Sequence, residues 1–502
     1  MSPADNRLLR DTYLTILALV ALRLIAAAVT PLTFDEAYYW TWSKHLAGGY
    51  YDHPPMVALV IRAGTMLAGD TPFGVRLVSI LLALPMSYAV YRTAAILFGG
   101  VRVAASATIV LNVTLMVAVG TLIVTPDAPL LVASSFVLFF LAKLLESGRG
   151  AWWLAVGAAV GCALLSKYSA LFFGAAILIW LLVVPQQRRW LASPWPYLGG
   201  IVAFALFAPV IIWNADHQWV SFLKQISDRA RIEDFRPGFI GELVPTQIAF
   251  ATPLVFILGA MGLHALARRK VGALPSRVLV NAMFWTITAY FVWHSLHARV
   301  EANWFAPVYP AFAVAAAVAA HLVPWEKRAQ RVADFCRRRA MPVGVVMFAL
   351  LIVQADTGVL SGYKRDSTVR SVGVGWRELA DQIEAVRSRT GATCVLAPDY
   401  GTTSWLAFYL PKGTCVAQQS QLIRWVNIGE PDAAHLAGPL LYIDEVAPRA
   451  QAIFKDKVER IEEVARLSRR RGPLVIETYT ITLLTGPKGD VLDRSPPPEL
   501  SP

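Results

Sequence analysis

Apolar runs, each near the twenty residues a bilayer-crossing helix needs, alternate with short polar segments over residues 12–355. They fall at 12–30, 75–98, 103–123, 128–145, 151–165, 170–184, 197–213, 245–267, 278–293, 305–323 and 341–355. The pattern predicts about eleven spanning helices. The segment Met56–Gly69 is also apolar, but it is short and carries Arg62 at its centre, where a charge is costly. It is expected to lie on the membrane surface.

After about residue 356 the pattern changes. Residues 376–389 repeat with the period of an amphipathic helix. Residues 393–398, 439–446 and 474–486 read as strands, the last with alternation. The expected architecture is therefore mainly α: a polytopic membrane domain over 1–357, a small α/β domain over 358–488 and a disordered tail over 489–502. Two long loops, 31–74 and 214–244, interrupt the spans.

Composition agrees: 56% of the residues are hydrophobic and only 16% charged, where soluble domains carry about a quarter. The net charge of +12 would suit a nucleic-acid partner, but its placement argues against one. Arg7, Arg10, Arg102, Arg149, Arg188, Arg189, Arg268, Arg269, Lys270 and Arg277 sit in one alternating set of short loops. Lys327, Arg328, Arg331, Arg337, Arg338 and Arg339 end that set. Lys and Arg mark the cytoplasmic side. The N-terminus is expected inside, and the two long loops and the C-terminal domain outside. No cleavable signal peptide is evident, since no small-residue cleavage site follows the first apolar run.

Chemistry-bearing residues gather at the expected outer boundary. Asp35 and Glu36 follow the first span, and Asp52-His53 closes the same loop before Pro54-Pro55. Six tyrosines and tryptophans lie between the two acidic motifs. Asp127, Lys167, the run Asn214–Trp219 with His217, and His294–Trp304 with Arg299, Glu301, Asn303 and Trp304 all stand at span ends of that side. Cations can hold a lipid phosphate, a carboxylate can accept a proton, and aromatic rings offer faces to a sugar or an isoprenoid chain. No Walker loop, dinucleotide fingerprint or HExxH is present. A donor would have to arrive through the membrane. Of the four cysteines, Cys394 and Cys415 can pair in an oxidising compartment.

The stretches TFDEAYYWTWS and YDHPP, with SKYS, WNADHQWVSF and RVEANWFAPVYP, resemble the GT-C glycosyltransferases of the protein O-mannosyltransferase and aminoarabinose (lipid A) transferase superfamily. The likeness covers roughly 12–310 and is nearest to bacterial transferases that add galacturonate or aminoarabinose to lipid A. The resemblance implies a GT-C fold, a polyprenyl-phosphate sugar donor, a lipid or glycolipid acceptor, and inverting transfer at the periplasmic face of the bacterial inner membrane. It makes Asp35 the general base, with Glu36 as its catalytic companion. Asp52, His53, Lys167, Arg299, Glu301, Asn303 and Trp304 would bind substrate. The chain departs from the aminoarabinose branch at Asp52-His53, where that branch has Glu-Lys. A His grips phosphate only when protonated, so a divalent-metal site of Asp52, His53 and His217 is a further candidate, with no cofactor otherwise implied.

Plainer readings stand beside these. Asp35 could cap a helix, since Thr33–Glu36 has an N-terminal signature. Lys167 could snorkel, Arg62 and Arg76 could touch lipid headgroups, and Tyr38, Tyr39, Trp40 and Trp42 could form an interface belt. A lipid or solute transporter is the alternative function, but transporters place charges near the bilayer midplane, and here charges gather at one boundary. A protein hydroxyl as acceptor, and a receptor or scaffold built on the C-terminal domain, are further alternatives.

Overall fold

The computed structural model describes residues 2–230, 235–269, 271–359, 370–446 and 448–496. Residues 231–234 of the second long loop, Lys270, and residues 497–502 of the expected tail lie outside that set. The chain is a mainly helical, multi-pass integral membrane protein with a small mixed sheet near its C-terminus.

Among the described residues, six helices are long and apolar enough to cross a membrane: Pro3–Val29, Pro72–Phe98, Asp127–Ser147, Pro194–Asp216, Ala302–His321 and Lys327–Thr357. Two sharply bent pairs, Tyr168–Val183 with Pro185–Ala192 and Gly238–Phe250 with Pro253–Arg269, raise the number to eight. By length and composition alone this gives six to eight candidate spans, where the apolar pattern called for about eleven. The run 103–123 breaks at Thr114, which caps a new short helix by accepting from the Val117 amide. Trp152–Leu164 is only 13 residues long. Leu274–His294 is helical throughout, but Arg277, Asn281, Thr286 and Thr288 dilute its apolar character. Met56–Ala68 is a short apolar helix of 13 residues.

The helices pack closely where small residues meet. A Cβ at Gly157 would lie 2.0 Å from the Gly199 carbonyl oxygen, so the backbones of Trp152–Leu164 and Pro194–Asp216 touch as in small-residue membrane contacts. Charges also enter the spans. Arg23, in Pro3–Val29, is buried and donates through Nη2 to the Asn112 carbonyl at 2.6 Å and side-chain oxygen at 3.2 Å. Two acceptors from another helix offset the loss of water around that head.

The C-terminal region holds strands β1 (Cys394–Ala397), β2 (Cys415–Gln418), β3 (Leu440–Asp444), β4 (Val458–Arg471) and β5 (Leu474–Pro487). Their order is β2-β1-β3-β5-β4. β1 pairs parallel with β2 and β3, while β5 runs antiparallel to β3 and β4. β1, β3 and β5 and the helix Trp376–Thr390 occupy the segments whose periodicity called for them. β4 carries VERIEEVARLSRRR, too charged for a central strand. It is the sheet edge, where charged side chains face water and discourage further pairing. Cys394 and Cys415 face each other in the β1–β2 register and form a disulfide.

The sheet region docks on the first long loop. Gly373 donates its amide to the Leu32 carbonyl at 2.8 Å, and the Trp405 indole donates to the same oxygen at 3.2 Å. Asn427 donates to the Gly49 carbonyl and accepts from the Trp213 indole, both at 2.9 Å. Residues far apart in sequence thus meet along one seam.

Candidate active site

The helix Phe34–Lys44 starts at that seam. Thr33 is its N-cap: the Thr33 hydroxyl accepts from the Glu36 amide, and Glu36 accepts from the Thr33 amide at 3.0 Å. This is a capping box. Thr33 and Glu36 therefore perform the capping, and Asp35, between them, is left to face the seam.

Glu36 is not available to a substrate, which corrects its expected catalytic place. Its side chain is 0% exposed and is gripped in a fork by Arg76, with Nε to Oε1 at 2.7 Å and Nη2 to Oε2 at 2.6 Å. The Val124 amide donates to it as well. Arg76 also donates to the Thr30 and Pro31 carbonyls. Arg76 is therefore a buried tie between loop and span, not a headgroup contact. A buried charge needs a paired, hydrogen-bonded setting of this kind.

Asp35 is half-buried. The Tyr400 hydroxyl, from the helix Tyr400–Tyr409, donates to Asp35 Oδ1 at 3.1 Å. Burial pushes the Asp35 carboxyl up to about 6. The Tyr400 hydrogen bond opposes this, the Asp52 and Glu36 charges add to it, and Arg424 opposes it. Burial and the Asp35 charge in turn raise the Tyr400 phenol, so it stays a donor.

Asp52 is the centre of the neighbouring cluster. Arg424 Nη1 donates to its Oδ2 at 2.6 Å and Oδ1 at 2.8 Å, Tyr38 donates to Oδ2 at 2.9 Å, and Lys224 pairs with Oδ1. Burial alone would raise the Asp52 carboxyl, but Arg424, Lys224 and His53 together hold it below its ordinary value. Tyrosine rings flank the cations: Lys224 lies 4.1 Å from the Tyr51 ring centre and Arg424 4.8 Å from that of Tyr400. His53 sits half-buried beside Tyr39. Trp42 and Tyr38 are buried, and Trp42 stacks on Tyr50 at 4.2 Å. These rings form the core of the loop rather than an interface belt; Trp40, half-buried, packs edge-on against Phe408.

A second cluster adjoins the end of this loop, where the Met56 amide donates to the Leu165 carbonyl at 2.9 Å. Lys167 pairs with both oxygens of Asp127 at 2.7 and 2.9 Å, and Asn303 donates to Asp127 Oδ2 at 2.6 Å. Trp304 faces the Lys167 ammonium at 6.0 Å. Lys167, Asn303 and Trp304 thus come together. Arg299 and Glu301 do not join them: both are exposed, and Arg299 pairs with Glu242 at 3.2 Å.

The metal reading is corrected too. Among the described residues no group of three or more His, Cys, Asp or Glu could hold an ion. His217 stacks on Trp213 with Nδ1 2.7 Å from the Trp213 carbonyl, while Asp52 already has two cations on its oxygens. Sequence reasoning did not find Lys224, Tyr400 or Arg424. Arg424 lies 372 residues from Asp52 in the chain, and no local pattern signals such a partner.

A helical membrane body with a small sheet docked over its first loop is the GT-C type of membrane-protein fold. The structure of ArnT from Cupriavidus metallidurans bound to undecaprenyl phosphate has this fold, with a TM-score of 0.64 at 18% identity, over 95% of this chain and 99% of that one. An oligosaccharyltransferase from Archaeoglobus fulgidus is similar at TM-score 0.51 and 10% identity, over 88% and 70% of the two chains.

Residues 52–213 match the family model of the dolichyl-phosphate-mannose-protein mannosyltransferases. A curated relative, the lipid A galacturonosyltransferase RgtD of Rhizobium johnstonii, is 27% identical over 289 residues. That alignment covers 56% of this chain and 59% of the relative's length.

Proposed function

We propose that this protein is a membrane glycosyltransferase that moves a sugar from a polyprenyl-phosphate donor to an envelope glycolipid, with lipid A as the leading acceptor. The observation that carries this reading is Asp35: a half-buried carboxyl, pushed up to about 6, at the seam between a membrane body and its docked sheet. The family match, the RgtD relative and the ArnT-like fold support it. The one-sided Lys and Arg distribution and the Cys394–Cys415 disulfide favour a site on the periplasmic side of the inner membrane.

In the proposed reaction Asp35 takes the proton of an acceptor hydroxyl as that oxygen attacks the anomeric carbon. The bond from that carbon to the phosphate oxygen breaks, and the configuration inverts. The polyprenyl phosphate leaves with the electron pair. Lys224 and Arg424 place two cationic groups around Asp52 at this seam, and cations suit a departing phosphate. His53 and Lys167 stand close to the same loop end. The test is transfer of labelled sugar from undecaprenyl phosphate to lipid A in proteoliposomes. Folded Asp35→Asn protein that keeps wild-type turnover would overturn the base assignment.

A further inference from the structure

Between the first loop and the sheet lies a cleft of about 530 Å³ to which the reaction above assigns no part of either substrate. Its size is ordinary for a small-molecule site, about 300–1,000 Å³. Phe34, Tyr400, Trp405 and Tyr479 form its aromatic side. Phe34 meets Tyr400 and Trp405 edge-on, each with ring centres 5.8 Å apart. The rim is acidic: Asp399, Glu445 and Glu477 line it, with Arg370 as the cation among them. Arg370 binds Glu477 at 2.8 Å and Glu445 at 3.3 Å, and the buried Arg469 pairs with Glu477 from behind at 3.0 Å, which leaves one carboxylate more than there are guanidinium groups. Asp399 caps the helix that carries Tyr400. Burial and the neighbouring Glu477 push the Glu445 carboxyl up, against the pull of Arg370. Tyr400 is a wall of this cleft and also the donor to Asp35.

We infer that this cleft is the acceptor subsite and takes a saccharide ring that carries hydroxyl or amino groups rather than phosphate. The inference rests on the glycosyltransferase reading. Aromatic faces suit the apolar side of a pyranose. Carboxylates are acceptors only, so they match sugar hydroxyls and ammonium groups and repel phosphate. The site then divides by charge, with the phosphate of the donor on the Lys224–Arg424 side and the acceptor ring on the acidic side. Tyr400 stands between them, and an acceptor hydroxyl replaces its hydroxyl on Asp35.

The experiment is saturation-transfer NMR on the full chain in nanodiscs, without any donor. The probes are methyl glucoside, methyl glucosaminide and glucose 6-phosphate. The first two are expected to saturate and the third not. Glu445→Lys changes an exposed rim residue, and an unchanged melting curve verifies its fold. It should weaken both binding probes by about tenfold, the scale of one lost hydrogen bond to a charged group. Equal binding of glucose 6-phosphate, no saturation by any probe, or an unaffected Glu445→Lys variant would each overturn the inference. Because no transfer is measured, a failed proteoliposome assay would count against the reaction and leave this result standing.

Discussion

The Tyr400 hydroxyl donates to Asp35 Oδ1 at 3.1 Å across 365 residues of sequence. It joins the sheet region to the carboxylate that stands at the seam, so the docked sheet both covers that carboxylate and tunes it. Burial raises the Asp35 carboxyl, and the Tyr400 hydrogen bond is the largest effect opposing that rise.

Replacing Asp35 by Asn should lower turnover by about 10²–10⁴-fold, the usual contribution of a positioned base. Donor binding should change little, because the phosphate-facing cations are untouched. Sugar transfer and undecaprenyl-phosphate binding, measured on the same preparation, check both halves of this expectation.

The wild-type rate should fall as pH drops through about 6, the value to which burial lifts Asp35. A base works with its proton off, so activity belongs above that pH. Stability has the opposite sign for this group. The folded state holds this proton more tightly than the unfolded chain, so Asp35 favours folding towards lower pH. Tyr400→Phe and Arg424→Gln each remove an influence that lowers the Asp35 carboxyl. Both should move the acidic limb of the pH–rate profile above 6, and a limb that stays in place would contradict the assignment.

Glu36→Gln should act on stability. It strips the countercharge from Arg76 in a site with 0% exposure, a loss of about 3–5 kcal/mol for a broken buried pair. The double variant Glu36→Leu/Arg76→Met should recover part of that loss, since no lone charge remains. Melting temperatures of the detergent-solubilised variants give the comparison.

The disulfide between Cys394 and Cys415 closes a 21-residue separation between neighbouring parallel strands. Replacing both by Ser should destabilise the sheet region by about 3 kcal/mol on chain-entropy grounds. Limited proteolysis with and without reductant should show earlier cleavage of the sheet region in the reduced wild type and in the double variant.

The class of architecture is legible in the chain's local patterns. Apolar runs of membrane length and loops of one charge sign are local patterns, and they called for a helical body with a mixed α/β region behind it. Asp35, Asp52 and His53 were legible for the same reason, as motifs within one short loop. Some local patterns misled. Thr114 divided one expected span, and the charged β4 read as no strand because edge strands need no apolar face. What each acid does depends on how the folded chain packs around it. Glu36 and Asp35 are neighbours in sequence, yet a capping box turns one inward to Arg76 and leaves the other at the seam. Lys224, Arg424 and Tyr400 reach the site only through docking of the second loop and the sheet. Charge interactions depend on distance in space, and a carboxylate's chemistry is set by burial and neighbours that chain order does not encode.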